Sequence, residues 1–143
     1  MRIFTLLILL LIISSCESQE DKIITTFSDI KGKKWYCYSI DSSHQFYPYR
    51  VREFYSDGKM KDYINVSSTG KLELLPKDNM WNTERWFVTS DSTVSIESVL
   101  NTKTGYYQKF NRKILFMNKD SIILQGTKRG NFEGILIFTK YKK

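Results

Sequence analysis

From residue 33 onward the chain alternates in short runs of apolar and polar positions, and no window sustains the i, i+3, i+4 spacing of a long amphipathic helix. The runs are rich in Tyr, Phe, Val, Ile and Trp and are bounded by Gly, Asn, Asp and Ser, which is the pattern of strands. Strands are predicted at 33–40, 49–56, 59–66, 71–75, 80–89, 93–99, 105–111, 113–117, 121–125 and 134–141. Reversals are marked by Asp57-Gly58, Thr69-Gly70, Ser90-Asp91-Ser92, Thr104-Gly105, Asn118-Lys119-Asp120 and Gly130. Pro48 and Pro76 fall at strand edges or loops, where a missing N–H does no harm. Sequential antiparallel strands leave two exposed edges unless the sheet closes on itself. The expectation is therefore an all-β chain folded as a small antiparallel up-and-down barrel of about eight to ten strands.

Alternation also assigns faces. Val94 and Ile96 oppose Thr93 and Ser95, while Ile135, Leu136, Ile137 and Phe138 predict a last strand buried on both sides. A two-residue turn at Asp57-Gly58 would pair Ser56 with Lys59, Tyr55 with Met60 and Glu53 with Asp62. Two carboxylates directly opposite repel, unless the face is exposed or Arg50 or Arg52 neutralises it.

The N-terminus reads differently. Met1-Arg2 precedes an apolar run over 3–13 broken only by Thr5. As a helix it would rise roughly 16 Å, about half the hydrocarbon core of a bilayer, so a signal sequence is predicted rather than a span. It ends in Ile13-Ser14-Ser15-Cys16, which resembles the lipobox of bacterial lipoproteins. That resemblance implies cleavage after residue 15, acylation of Cys16, and anchoring through several acyl chains. The expected organisation is a signal peptide at 1–15, a lipidated Cys and tether at 16–31, and a barrel domain at 32–143. One helical turn is predicted near 26–30. Glu17 does not match the Asp of an inner-membrane retention signal. Glu17, Glu20 and Asp21 resemble the acidic tract of surface-exported lipoproteins. The implied location is the cell envelope at the outer membrane, on its periplasmic face or the cell surface.

Composition narrows the chemistry. The 143 residues carry 22 Lys+Arg against 15 Asp+Glu, and aromatics make up 15%. This aromatic load excludes a disordered chain. A single His and two Cys exclude a conventional zinc site. With Cys16 acylated, Cys37 has no partner for a disulfide and reads as a small buried hydrophobe. Basic residues are scattered, with short clusters at 31–34, 128–129 and 140–143, so nucleic-acid binding is not expected. His44 stands alone in Asp41-Ser42-Ser43-His44-Gln45, without a nucleophile motif. Asn65-Val66-Ser67 matches a glycosylation sequon. No cofactor and no catalytic residue are expected.

The order of elements carries one further likeness. Trp35 lies on the first strand and Phe54-Tyr55-Ser56-Asp57-Gly58-Lys59 forms the first hairpin. Trp86 precedes Ser90-Asp91-Ser92-Thr93-Val94-Ser95-Ile96, Asp120-Ser121-Ile122-Ile123-Leu124 follows, and the last apolar strand ends at Lys140. Over residues 30–143 this resembles the bacterial lipocalin-like domain, a calycin-type barrel found in secreted lipoproteins. The likeness implies a Trp near the first strand covered by a basic residue of the last, here Trp35 and Lys140. In this chain Lys33 and Lys34 separate Gly32 from Trp35, where lipocalins have Gly-x-Trp, and Lys stands where Arg is usual.

Aromatics are spread over many strands: Tyr36, Tyr38, Phe46, Tyr47, Phe54, Trp81, Trp86, Phe87, Tyr106, Tyr107 and Phe116. An eight-stranded barrel either holds one small ligand or is filled by side chains. The leading expectation is a membrane-anchored lipoprotein, not an enzyme, that binds a small hydrophobic ligand. Phe54, Trp86 and Tyr107 are its cavity candidates. The alternative is a filled barrel that binds an envelope protein, as an inhibitor or immunity-type factor, through the Tyr-rich stretch 36–55.

Overall fold

A computed structural model of the chain describes residues 17–40, 50–66, 70–76, 83–101, 106–129 and 132–142. It does not describe the side chains at 65–66, 83–84, 98–101, 106–107, 127–129 and 132–133. One helix, α1 (Gln19–Phe27), precedes nine strands. These are β1 (Lys33–Ile40), β2 (Arg50–Phe54), β3 (Met60–Val66), β4 (Lys71–Leu74), β5 (Thr83–Ser90), β6 (Thr93–Asn101), β7 (Tyr106–Met117), β8 (Ser121–Arg129) and β9 (Phe132–Lys140).

The strands form one curled antiparallel sheet in the order β4-β3-β2-β1-β9-β8-β7-β6-β5. Consecutive strands are neighbours except β4 and β5, which form the two edges, and the first and last are joined, with Trp35 opposite Lys140 and Cys37 opposite Phe138. This is the expected up-and-down barrel. An odd number of strands cannot close antiparallel, because β4 and β5 then point the same way. The flanks meet instead across β3 and β5, through an antiparallel bridge between Lys59 and Arg85. The Trp86 N–H donates to the Gly58 carbonyl there at 2.9 Å.

Two expectations are corrected. The predicted strands at 105–111 and 113–117 are one continuous strand, β7. Asn111 faces solvent and Arg112 faces inward, so the pleat runs through without a break. The second correction concerns the β2–β3 hairpin. Its loop has three residues, with the Gly58 N–H on the Tyr55 carbonyl at 3.1 Å and the Tyr55 N–H on the Lys59 carbonyl at 3.0 Å. Gly58 takes φ 84°, the left-handed position that follows a type I turn in such loops. The register therefore shifts by one residue, and Glu53 faces Lys61 while Asp62 faces Arg52.

The segment expected as a tether with one helical turn holds α1. Ser18 caps it by accepting from the Asp21 N–H at 3.0 Å, and Glu20 and Asp21 favour the positive end of the helix dipole. Ile23 and Phe27 stand four apart on one face and are fully buried. Carbonyls of the last turn are taken by the Trp35 indole N–H (to Phe27, 2.8 Å) and the Lys33 ammonium (to Thr26, 2.6 Å). The nine-residue helix is too short to persist alone and is held by this packing.

Candidate functional site

Inward-facing side chains divide the barrel into two zones. At the end where α1 enters, Phe27 stacks on Trp86 with ring centres 5.5 Å apart and meets Phe54 edge-on at 5.4 Å. Phe54 also meets Trp86 and Phe138 edge-on, at 5.5 and 5.7 Å. Trp35, Phe54 and Phe138 are fully buried, and Trp86 nearly so. Each such ring contributes about 1.5–3 kcal/mol by leaving water. This aromatic block is a floor across one end of the barrel. Phe54 and Trp86, expected to line a cavity, belong to this floor, with Phe27 covering both. Tyr107 sits on β7 opposite Val99, but its side chain lies outside the described residues.

Trp35 and Lys140 are direct cross-strand partners. The cation over the Trp35 ring, however, is Lys33, at 5.0 Å from the ring centre, while Lys140 is exposed. Burial, and then the charge of Lys140, push the Lys33 ammonium below its ordinary pKa.

Further from the floor the inner face becomes charged. Arg50, Arg52 and Asp62 share this face with Phe54, Met60 and Ile64, since cross-strand partners point the same way. The Arg52 Nε donates to Asp62 Oδ1 at 3.0 Å, and both side chains are buried. Burial opposes the Arg52 charge, but Asp62 outweighs it and raises its pKa. Arg50 Nη1 is 4.0 Å from the other carboxylate oxygen of Asp62. Arg112, on the inner face of β7, reaches the Gln125 carbonyl at 3.5 Å. Burial, then the charge of Arg52, lower the pKa of both Arg50 and Arg112. Cys37 is buried among these groups, and burial pushes its thiol up. Among the described residues it has no disulfide partner.

Exposure rises along the same face. The Arg50 side chain retains 28% of its accessible surface, and Ile64, directly opposite it, retains 45%. Inward-pointing residues at this end of β2 and β3 therefore still meet solvent. A hollow of about 500 Å³ lies outside the barrel beside α1, bordered by Ile24, Ile30 and Ser56.

The outer face of β1–β3 carries a different group. Val51 is fully buried between Tyr36 and Tyr63, its partners on either side. Tyr63 donates to Glu53 at 2.6 Å, and Lys34 lies 3.6 Å from the same carboxylate. Tyr36 meets Tyr141 at 4.8 Å and Tyr38 at 6.4 Å. The Lys61 ammonium donates to the Tyr55 hydroxyl at 3.0 Å.

Cys16, the signal sequence, His44, Phe46, Tyr47 and Trp81 lie outside the described residues, as do Ser67 and the Asn65 side chain of the sequon. Among the described residues, no group of three or more His, Cys, Asp or Glu could hold a metal ion, and no helix is long and apolar enough to cross a membrane. From the sequence, Arg50 and Arg52 enter only as groups that could neutralise a Glu53–Asp62 pair, so the charged inner zone is not apparent. Its signal was the pleat, since an inward Phe54 requires inward Arg52 and Arg50. No family model matches the chain, and no curated protein matches it.

Proposed function

We propose that this protein is a lipid-anchored, lipocalin-like lipoprotein that binds a small, largely apolar molecule inside its barrel. One observation carries the reading: α1 and its aromatic partners seal one end, while Arg50 and Ile64 face inward and still meet solvent. A floor with an accessible wall above it makes a cup, and small-molecule sites are concave, mostly apolar and provided with a few polar groups. Ile64 and Leu136, inward-facing and not fully buried, supply apolar wall on β3 and β9. The protein's role in this reading is to carry or sequester, without chemistry on the ligand.

The anchor is Cys16, placed by the lipobox resemblance. Glu17 alone separates it from the cap of α1, so the barrel would hang from the outer membrane with almost no slack. Native mass spectrometry of the full chain purified from membranes tests the proposal. A co-purifying small molecule is expected, and a uniformly ligand-free chain contradicts it.

The second reading is recognition of an envelope protein through the outer face of β1–β3. It is favoured by the tyrosines 36, 38, 55, 63 and 141 gathered there, since aromatic side chains anchor protein interfaces. In that case substitutions at Tyr36 and Tyr38 abolish the interaction, and inward-facing substitutions do not.

A further inference from the structure

The hollow beside α1 lies outside the barrel, and its surface is mostly apolar. Ile24, half-buried on α1 against the core, borders it, as does Ile30, which is 88% exposed. The surrounding backbone is fixed by hydrogen bonds. The Ser28 N–H and hydroxyl both donate to the Ile24 carbonyl, at 2.9 and 2.8 Å, and the Ser56 N–H donates to the Asp29 carbonyl at 3.1 Å. Asp29 and Lys31, the charged residues of the lining, are both exposed and opposite in sign, and the remaining polar groups there are hydroxyls. Nothing in the hollow selects a charged head. A plain alkyl chain suits it, since covering Ile24 and Ile30 removes apolar surface from water.

The chain itself brings such a group close. The Thr25 hydroxyl donates to Glu17 Oε1 at 3.3 Å, so Glu17 turns back along the side of α1 instead of extending from its end. Thr25 borders the hollow. Cys16 is the next residue, about 3.8 Å of backbone from Glu17. We propose that the hollow holds one alkyl chain of the lipid on Cys16 while the protein is away from a bilayer. This rests on the anchored reading and is independent of what the barrel interior binds. A hollow on the outer surface covers a chain less completely than a membrane does, so it recovers part of the burial that a bilayer gives in full. In water the chain lies against Ile24 and Ile30; beside a bilayer it leaves them.

Intact mass of the protein purified from membranes reads the state of Cys16 first. An unmodified Cys16 overturns the anchored reading and this proposal together. With acylation established, methyl-labelled NMR of the acylated protein, dilute and free of detergent and vesicles, reads nuclear Overhauser contacts from the alkyl chains to isoleucine methyls. Contacts at Ile24 and Ile30 are expected, with none at Ile64 inside the barrel. They should survive further dilution and be lost when bilayer discs of phosphatidylethanolamine and phosphatidylglycerol are added. Ile30→Ser, at a position too exposed to affect folding, should weaken the contacts at Ile24. Acylated protein without contacts at Ile24 and Ile30 overturns the proposal and leaves the anchor standing. Contacts that fade on dilution come from a neighbouring copy, and contacts confined to Ile64 put the chain in the barrel; either overturns it. Undiminished contacts in the Ile30 variant overturn the hollow as the site, and contacts that persist with discs overturn release to the bilayer.

Discussion

Arg52 stands directly across the β2–β3 ladder from Asp62, and the two form a buried ion pair on the inner side of the wall. A buried pair is worth little over an apolar one, but breaking it leaves a charge without compensation. Asp62→Ala is expected to cost about 3–5 kcal/mol in urea unfolding. The double variant Arg52→Met, Asp62→Leu should cost less than Asp62→Ala alone. A double variant at least as damaging would show that the pair matters for something besides charge balance.

Phe27 ties the helix to the floor through Trp86, Phe54 and Phe138. Phe27→Ala should destabilise the fold by about 3–5 kcal/mol. It should also shift tryptophan emission to longer wavelength, because Trp86 loses its stacked cover. Unchanged emission would place α1 away from the barrel end.

Gly126 lies where β8 and β9 slip register, and a Cβ there would overlap the Gly134 peptide. The neighbour is backbone and has no rotamer into which to retreat. Gly126→Ala is expected to cost at least about 1–3 kcal/mol, read as a lowered thermal midpoint. Gly70→Ala, with open space around it, meets only the strain of its positive φ and should cost less.

Tyr63 is half-buried and bonded to Glu53, and burial followed by that hydrogen bond raises its pKa above the usual 10.0. The folded chain therefore holds this proton more tightly than the unfolded chain. The resulting stabilisation is complete below about pH 10 and is lost as pH rises through the folded value. Stability should fall with alkali, and Tyr63→Phe should flatten that fall while costing about 1 kcal/mol at neutral pH. Phenolate absorbance should show a tyrosine that titrates late and vanishes in the variant.

The fold was largely legible because strand residues and turn punctuation coincide. Ten short runs joined by tight reversals predict all nine strands, two of the runs being halves of β7, and the lipocalin-like resemblance brings Lys140 to Trp35. What was hidden depended on contacts distant in sequence. The spacing of Ile23 and Phe27 fits one helical face, but two residues in nine carry little weight until Trp86 and Phe54 arrive to cover them. A one-residue slip in the hairpin arises because Asp57-Gly58 suits both a two-residue turn and the end of a three-residue loop. That single slip set Glu53 against Asp62 and concealed the pairing of Asp62 with Arg52. The lysine over Trp35 was expected from the last strand and comes from Lys33, two residues away on the same face.

The interior site is tested most directly by methyl-labelled NMR of the chain titrated with 1-decanol. Ile64, Leu124 and Leu136 point into the cup, whereas Val51 lies under the outer tyrosines. Saturable shifts at the three inner residues, with Val51 unmoved, are the expected result. Shifts confined to Val51, or none at any of the four, would contradict a ligand-binding interior.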